Sequence, residues 1–217
     1  MEDDDEIPSN FFLSEEYVLT SEKIHSFTQD FFILPAASTD YDLTGQVLWP
    51  GAKHLAEYLL VSKPTLIQDQ QILELGSGSG LCGLFVSQLA SHSILTDGNE
   101  IVMRLLEKNK PLGKNVDIAL VDWASKDLTQ DLIRQNLPIE YNLIIGADVV
   151  FWSNSIEPLF NTVQILLKQN GKFIMCYTLR AMNIYRDLLR LSLELGFKHE
   201  VLLQNEITYI FEFTRIN

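Results

Sequence analysis

Five short apolar runs, Gln71–Leu75, Ser93–Thr96, Val116–Val121, Tyr141–Ala147 and Lys172–Tyr177, recur with amphipathic segments of helix length between them. A strand that is apolar throughout, rather than at alternate positions, needs cover on both faces. Strand, helix, strand in repeated order then dictates parallel neighbours joined by right-handed crossovers. The crossover helices are predicted over Leu81–Ala90, Glu100–Asn109, Lys126–Asn136, Ser155–Lys168 and Ala181–Leu195. An earlier helix over Ala52–Val61 sets Leu55, Leu59 and Leu60 on one side and ends at Lys63-Pro64. The rhythm breaks at the end of the chain, where "FKHEVLLQ" and "ITYIFEF" are separated only by Asn205-Glu206, which predicts an antiparallel hairpin at the sheet edge.

The expected architecture is therefore an α/β domain with a mostly parallel sheet and helices on both faces. Its 217 residues, 47% of them hydrophobic, suffice for one substantial core. Residues 1–10 are expected to form a disordered acidic tail, 11–43 a β-rich extension of short strands or a hairpin, and 44–217 the main domain. No run is long and apolar enough to span a membrane, and "MEDDDEIPSN" lacks the order of a secretory signal, so a cytoplasmic or nuclear location is expected. Cys82 and Cys176 lie in apolar stretches, as buried reduced thiols do. The four histidines are scattered without ligand spacing, and no metal site is expected.

Charge narrows the partners. Sixteen basic residues face 29 acidic ones, a net charge of −13, which repels a phosphate backbone and favours a basic protein or peptide over nucleic acid. Five of the acids fall in the tail from Glu2 to Glu6, where they can serve solubility alone. A monomer is expected.

The stretch "ILELGSGSGLCGL" puts Gly76, Gly78 and Gly80 at alternate positions directly behind the first of the five runs. In an open α/β sheet, ligands bind beyond the carboxyl ends of strands, and glycines there let the main chain approach a ligand while the next helix offers its N–H groups. A phosphate-cradling loop would end in Gly-Lys-Ser/Thr, whereas this one continues Gly80-Leu81-Cys82. A dinucleotide fingerprint fails when counted from Gly76, although counting from Gly78 places Gly83 correctly and keeps that reading open. Glu74 weighs against it, because a carboxylate suits a cationic ligand better than a pyrophosphate.

Further acids follow at strand ends. Asp97, with Gly98 and Asn99 behind it, ends "SILTD" and is placed to accept hydrogen bonds from two ribose hydroxyls. Asp122 and Trp123 in "LVDWA" could meet an exocyclic amine and the face of adenine. The cofactor-binding candidates among these residues are Glu74, Gly76, Ser77, Gly78, Gly80, Asp97, Gly98, Asn99, Asp122 and Trp123, a set suited to an adenosine without phosphate.

The sequence at this point resembles the seven-β-strand S-adenosylmethionine-dependent methyltransferases, through "LELGSGSG", Asp97 and the final hairpin. Within them, "TGQVLWPGAKHLAEYL", "VDW" and "GADVVFW" resemble methyltransferase family 16, a group of non-SET protein-lysine methyltransferases. The resemblance covers Thr44 to Phe213 and implies a Rossmann-like seven-stranded methyltransferase sheet, S-adenosylmethionine as cofactor and a protein substrate. It adds Trp49 and Ala147 to the cofactor contacts and gives substrate-side, catalytic roles to Asp148 and Phe151. Phe151 stands where the family pattern allows Tyr or Phe, so no hydroxyl is available there.

Methyl transfer from a sulfonium to an amine asks for alignment, exclusion of water and a neutral nucleophile. Asp148, at the end of the fourth run, is expected to bind the arriving ammonium, with Phe151 and Trp152 flanking the channel. Alternatively, Asp148 caps the following helix and the two aromatics pack on it. Arginine, histidine or a small molecule as acceptor, and a non-catalytic domain retaining the cofactor, are the competing functional readings.

Overall fold

The computed structural model describes residues 17–34, 44–138 and 140–216. The expected acidic tail, and the parts of the 11–43 extension before residue 17 and after residue 34, lie outside the described residues. Among the described residues nine strands, β1 (Val18–Ile24), β2 (Phe27–Ile33), β3 (Gln71–Glu74), β4 (His92–Asp97), β5 (Val116–Leu120), β6 (Tyr141–Ala147), β7 (Leu167–Thr178), β8 (Phe197–Asn205) and β9 (Thr208–Arg215), make two sheets. The α-helices are α1 (Pro50–Glu57), α2 (Leu81–Val86), α3 (Glu100–Asn109), α4 (Leu128–Arg134), α5 (Ile156–Leu166) and α6 (Met182–Glu194).

The seven-stranded sheet runs β5-β4-β3-β6-β7-β9-β8. Strands β3 to β7 pair in parallel, and β9 runs antiparallel to both of its neighbours, β7 and β8. Strand order reverses between β4 and β6 on either side of β3, so the carboxyl end of β3 is the topological switch point.

Side chains of a strand point alternately to opposite faces, and here that alternation builds two cores. Ile72, Leu95, Leu143, Ile145, Ile174 and Ile210 pack with α1, α2 and the β1–β2 hairpin. Leu73, Ile94, Ile144, Phe173, Met175, Phe211 and Phe213 pack with α4, α5 and α6. Both cysteines are buried and free within the first core.

Several boundaries differ from the sequence expectation. The helix expected over Ala52–Val61 starts earlier, with Pro50 in its first turn, and its last turn widens into a π-turn over Tyr58–Ser62. The helix after the glycines is shorter, ending at Val86. The helix expected over Ser155–Lys168 stops at Leu166 because Leu167 already opens β7, pairing with Tyr141 across an irregularity in the ladder. The C-terminal turn is Glu206-Ile207, with Asn205 paired to Thr208. The hairpin stands at the sheet edge as expected, with β9, whose Ile210, Phe211 and Phe213 are buried, beside β7 and the more exposed β8 outermost. Burial on both faces favours the interior position.

The β1–β2 hairpin is fastened beside the switch point by side chains. Gln29 Nε2 donates to the Leu112 carbonyl at 2.9 Å and Gln88 Nε2 to the Thr28 carbonyl at 3.1 Å. Asn109, fully buried on α3, accepts from Phe32 N at 2.6 Å and donates to the Phe32 and Ser79 carbonyls at 3.0 and 2.7 Å. One amide thus joins the hairpin to the glycine-rich turn.

Candidate functional site

The turn after β3 is held open by its glycines. Gly76, Gly78 and Gly80 have φ of 62, 54 and 83°, the left-handed region. A Cβ on Gly78 would lie 2.8 Å from the Gly45 carbonyl, and one on Gly76 would strike Val149 and come within 3.3 Å of the Trp123 ring. Ser77 locks the turn onto β4: its N–H donates to the Thr96 carbonyl at 2.8 Å and its Oγ accepts from Thr96 N at 3.0 Å. Thr96 Oγ1 in turn donates to the Glu74 carbonyl at 2.7 Å.

These elements wall a cavity of about 530 Å³, within the range of small-molecule sites. Its floor is Glu74, Gly76, Ser77 and Gly78 from the β3 turn; one side is Asp97, Gly98 and Asn99 from the end of β4. Asp122 and Trp123, beyond β5, make another side, and Ala147, Asp148 and Phe151, from the end of β6, face Trp49. Gly80 does not line it: a Cβ there would meet Leu106 and Leu95, so that glycine serves the core and the start of α2.

Of the two carboxylates of the floor and side, Glu74 is buried and Asp97 partly buried. Glu74 is pushed up to about 8 by desolvation, against hydrogen bonds from Ser77 and the Gly83 N–H, with the nearby Asp97 raising it further. Burial also raises Asp97, while the main-chain N–H groups of Gly78, Asn99 and Gly98 act in the opposite direction. Asp97 spans two neighbours, Oδ2 accepting from Gly78 N and Oδ1 from Asn99 N, both at 3.1 Å. Asn99 then caps α3, its Oδ1 accepting from Ile101 N at 2.8 Å. Two acids sharing one cavity favour a ligand that brings donors or positive charge.

Trp123 adds an unmet demand, because its indole N–H is buried without an acceptor among the described residues. Asp122 accepts from the Ala124 N–H at 2.9 Å and remains exposed, leaving carboxylate surface toward the cavity. A cradle too tight for a Cβ, paired carboxylates and an orphaned indole donor fit a polar nucleoside carrying a cationic tail.

At the opposite wall, Trp49 and Phe151 meet edge to face with ring centroids 4.7 Å apart, and Trp49 Nε1 is anchored to the Thr44 carbonyl at 2.8 Å. Asp148 has φ of 54° and a fully buried carboxylate. Its Oδ1 accepts from Thr178 N at 2.9 Å and Arg180 Nη1 at 3.3 Å; its Oδ2 accepts from Gly51 N at 3.0 Å and Thr178 Oγ1 at 3.2 Å. The Asp148 side chain thus bonds to the first turn of α1, before its own helix, rather than capping α5.

Sequence reasoning overlooked Asn109, Thr96, Thr178 and Arg180. Asn109 carried a signal, since it continues the buried stripe of Val102, Leu105 and Leu106 on α3 as its polar member. Arg180 follows β7 directly at the carboxyl edge where β6 delivers Asp148, a juxtaposition that only the strand order reveals. Among the described residues no group of three or more His, Cys, Asp or Glu could hold a metal, and no helix is long and apolar enough to cross a membrane.

A sequence model of the family described as lysine methyltransferase matches residues 33–188. Calmodulin-lysine N-methyltransferase of Arabidopsis thaliana is 29% identical over 136 residues, 58% of this chain and 42% of that protein. Protein N-lysine methyltransferase METTL21A of Danio rerio is 28% identical over 158 residues, 70% of this chain and 65% of that protein. This chain therefore spans less than two thirds of either relative. Among solved structures, the 16S rRNA N2 G1207 methyltransferase of T. thermophilus, in complex with AdoMet and guanosine, superposes with a TM-score of 0.61 at 14% identity, covering 93% of this chain and 51% of that one. That likeness is one of fold.

Proposed function

The chain belongs to the lysine methyltransferase family, and from that premise we propose that it is an S-adenosylmethionine-dependent enzyme methylating a lysine side chain of a protein. The observation that carries the reading is the convergence of Glu74, the bare main chain at Gly76 and Gly78, Asp97 and Trp123 on one cavity whose far wall is aromatic.

When bound, S-adenosylmethionine supplies an electrophilic methyl group on a sulfonium. Gly76, Ser77 and Gly78 would take its amino-acid half against main chain, with Glu74 beneath as the compensating charge. Asp97 has the position to accept from both ribose hydroxyls, and Asp122 with the Trp123 ring to receive the adenine. Trp49 and Ala147 close the wall toward the acceptor.

A free lysine, of pKa about 10.4, arrives as an ammonium and must shed its proton before it attacks. Trp49 and Phe151 attract that cation by their faces and exclude water, and their low-polarity surroundings favour the neutral amine. Asp148 supplies the negative charge of the receptor; no strong base is required once the proton can pass to solvent. The net charge of −13 supports a basic protein segment as substrate rather than a nucleic acid. Incubation with methyl-labelled S-adenosylmethionine and a cell extract, followed by mapping of the labelled residues, should find label on lysine. Label confined to arginine, histidine or small molecules would overturn the acceptor assignment.

A further inference from the structure

The cation receptor at the aromatic wall is engaged by the protein itself. Arg180 places its guanidinium carbon 4.1 Å from the centre of the Phe151 ring and 4.9 Å from that of Trp49, while Nη1 reaches Asp148 Oδ1 at 3.3 Å. An ionised carboxylate offers about four acceptor directions, and Asp148 spends all four on Gly51 N, Thr178 N, Thr178 Oγ1 and Arg180. Arg180 does not line the cavity, but it covers three residues that do.

Of the four partners, the two N–H groups are fixed by the backbone at the ends of α1 and β7, and the Thr178 hydroxyl stands on a short β-branched side chain at the end of β7. The guanidinium hangs on a flexible side chain that is 26% exposed, and its contact is the longest of the set. Its Nη1 also donates to the Thr178 carbonyl at 3.3 Å, and among the described partners it is the charged one, on a side chain long enough to swing clear without unfolding an element. An incoming ammonium would find the same two rings and the same carboxylate only after Arg180 withdrew.

We propose that Arg180 is a specificity-determining competitor in the acceptor channel: a substrate lysine enters by exchanging with its guanidinium at Asp148, Trp49 and Phe151. The inference rests on the lysine reading above. Exchange of one cation for another keeps the buried carboxylate paired throughout, so no unpaired charge is left in the protein. It also sets a threshold: a free amine must outcompete a tethered guanidinium, whereas a lysine carried on a docked protein brings binding energy from elsewhere.

Methylammonium is the probe. It is titrated into wild type, Arg180→Ala and Arg180→Ala/Asp148→Asn in the presence of S-adenosylhomocysteine, with indole fluorescence as the readout and cofactor affinity measured in parallel. Arg180→Ala is expected to bind methylammonium at least about tenfold more tightly than wild type, about 1.4 kcal/mol, and the double variant is expected to lose that gain. Equal methylammonium binding by wild type and Arg180→Ala, with cofactor affinity intact in both, would overturn the proposal. Failure of wild type to bind the cofactor would instead strike the methyltransferase reading. Should Arg180→Ala not fold, Arg180→Gln, which keeps a neutral donor toward Asp148, takes its place; loss of the thermal transition in both would mark the guanidinium as a fixed strut and equally overturn the exchange.

Discussion

Gly78 and Glu74 show how differently single residues in one turn are constrained. Gly78 combines a left-handed φ of 54° with a carbonyl 2.8 Å from where a Cβ would stand, so Gly78→Ala should cost at least about 1–2 kcal/mol of conformational strain and displace the Gly45 loop from the cavity. Thermal denaturation and cofactor titration of that variant would both register it. Glu74 is a matter of protonation. Its folded value near 8 lies above its ordinary 4.5, so the ligand-free native state holds a proton that the unfolded chain releases across that window, and stability falls as pH rises through it. Wild type should therefore lose stability relative to Glu74→Gln between about pH 4.5 and 8, seen in ligand-free melts at a series of pH values; parallel curves would refute the buried titration. That Gly76, Gly78 and Asp97 meet at one cavity is legible in sequence, because each stands just behind the carboxyl end of a parallel strand. The four bonds of Asp148 are not, since Gly51 and Thr178 lie on elements that meet only once the sheet is assembled.

Among the elements, the buried run Tyr141–Ala147 and the amphipathic stripe of Glu100–Asn109 coincide with their expected bounds. Ends depart from the sequence pattern where tertiary pairing decides them. Leu167 looks like one more apolar residue of a helix but joins a ladder with Tyr141, and Ile207, 53% exposed, sits in a turn that its side chain does not announce. Placement of β9 inside the sheet makes it a test of the fold: Phe213, fully buried among Phe160, Phe173 and Phe211, should cost about 3–5 kcal/mol on Phe213→Ala. A comparable change on the outer strand, Val201→Ala, should cost far less, as Val201 is exposed. The β1–β2 hairpin hangs on fewer ties, so Asn109→Ala, which strands the buried Ser79 carbonyl and frees Phe32, should cost about 1–3 kcal/mol and speed amide exchange in β2 ahead of the sheet.

For the molecule as a whole, strand order places the glycine turn, the strand-end acids and the aromatic wall at one edge of the sheet, with two cores behind them. Rigid strands thereby hold a cavity whose groups come from the loops of four separate crossovers, while Asp148 is bonded where β6 and β7 meet α1. The central claim is that the backbone at Gly76 and Gly78, with Asp97, holds the nucleoside cofactor. Calorimetric titration of S-adenosylhomocysteine into wild type, Gly78→Arg and Asp97→Ala tests it directly. Saturable one-to-one binding by wild type and a loss of at least about a hundredfold, some 2.7 kcal/mol, in both variants is the predicted result. Undiminished binding in the folded variants, or no binding to wild type, would contradict it.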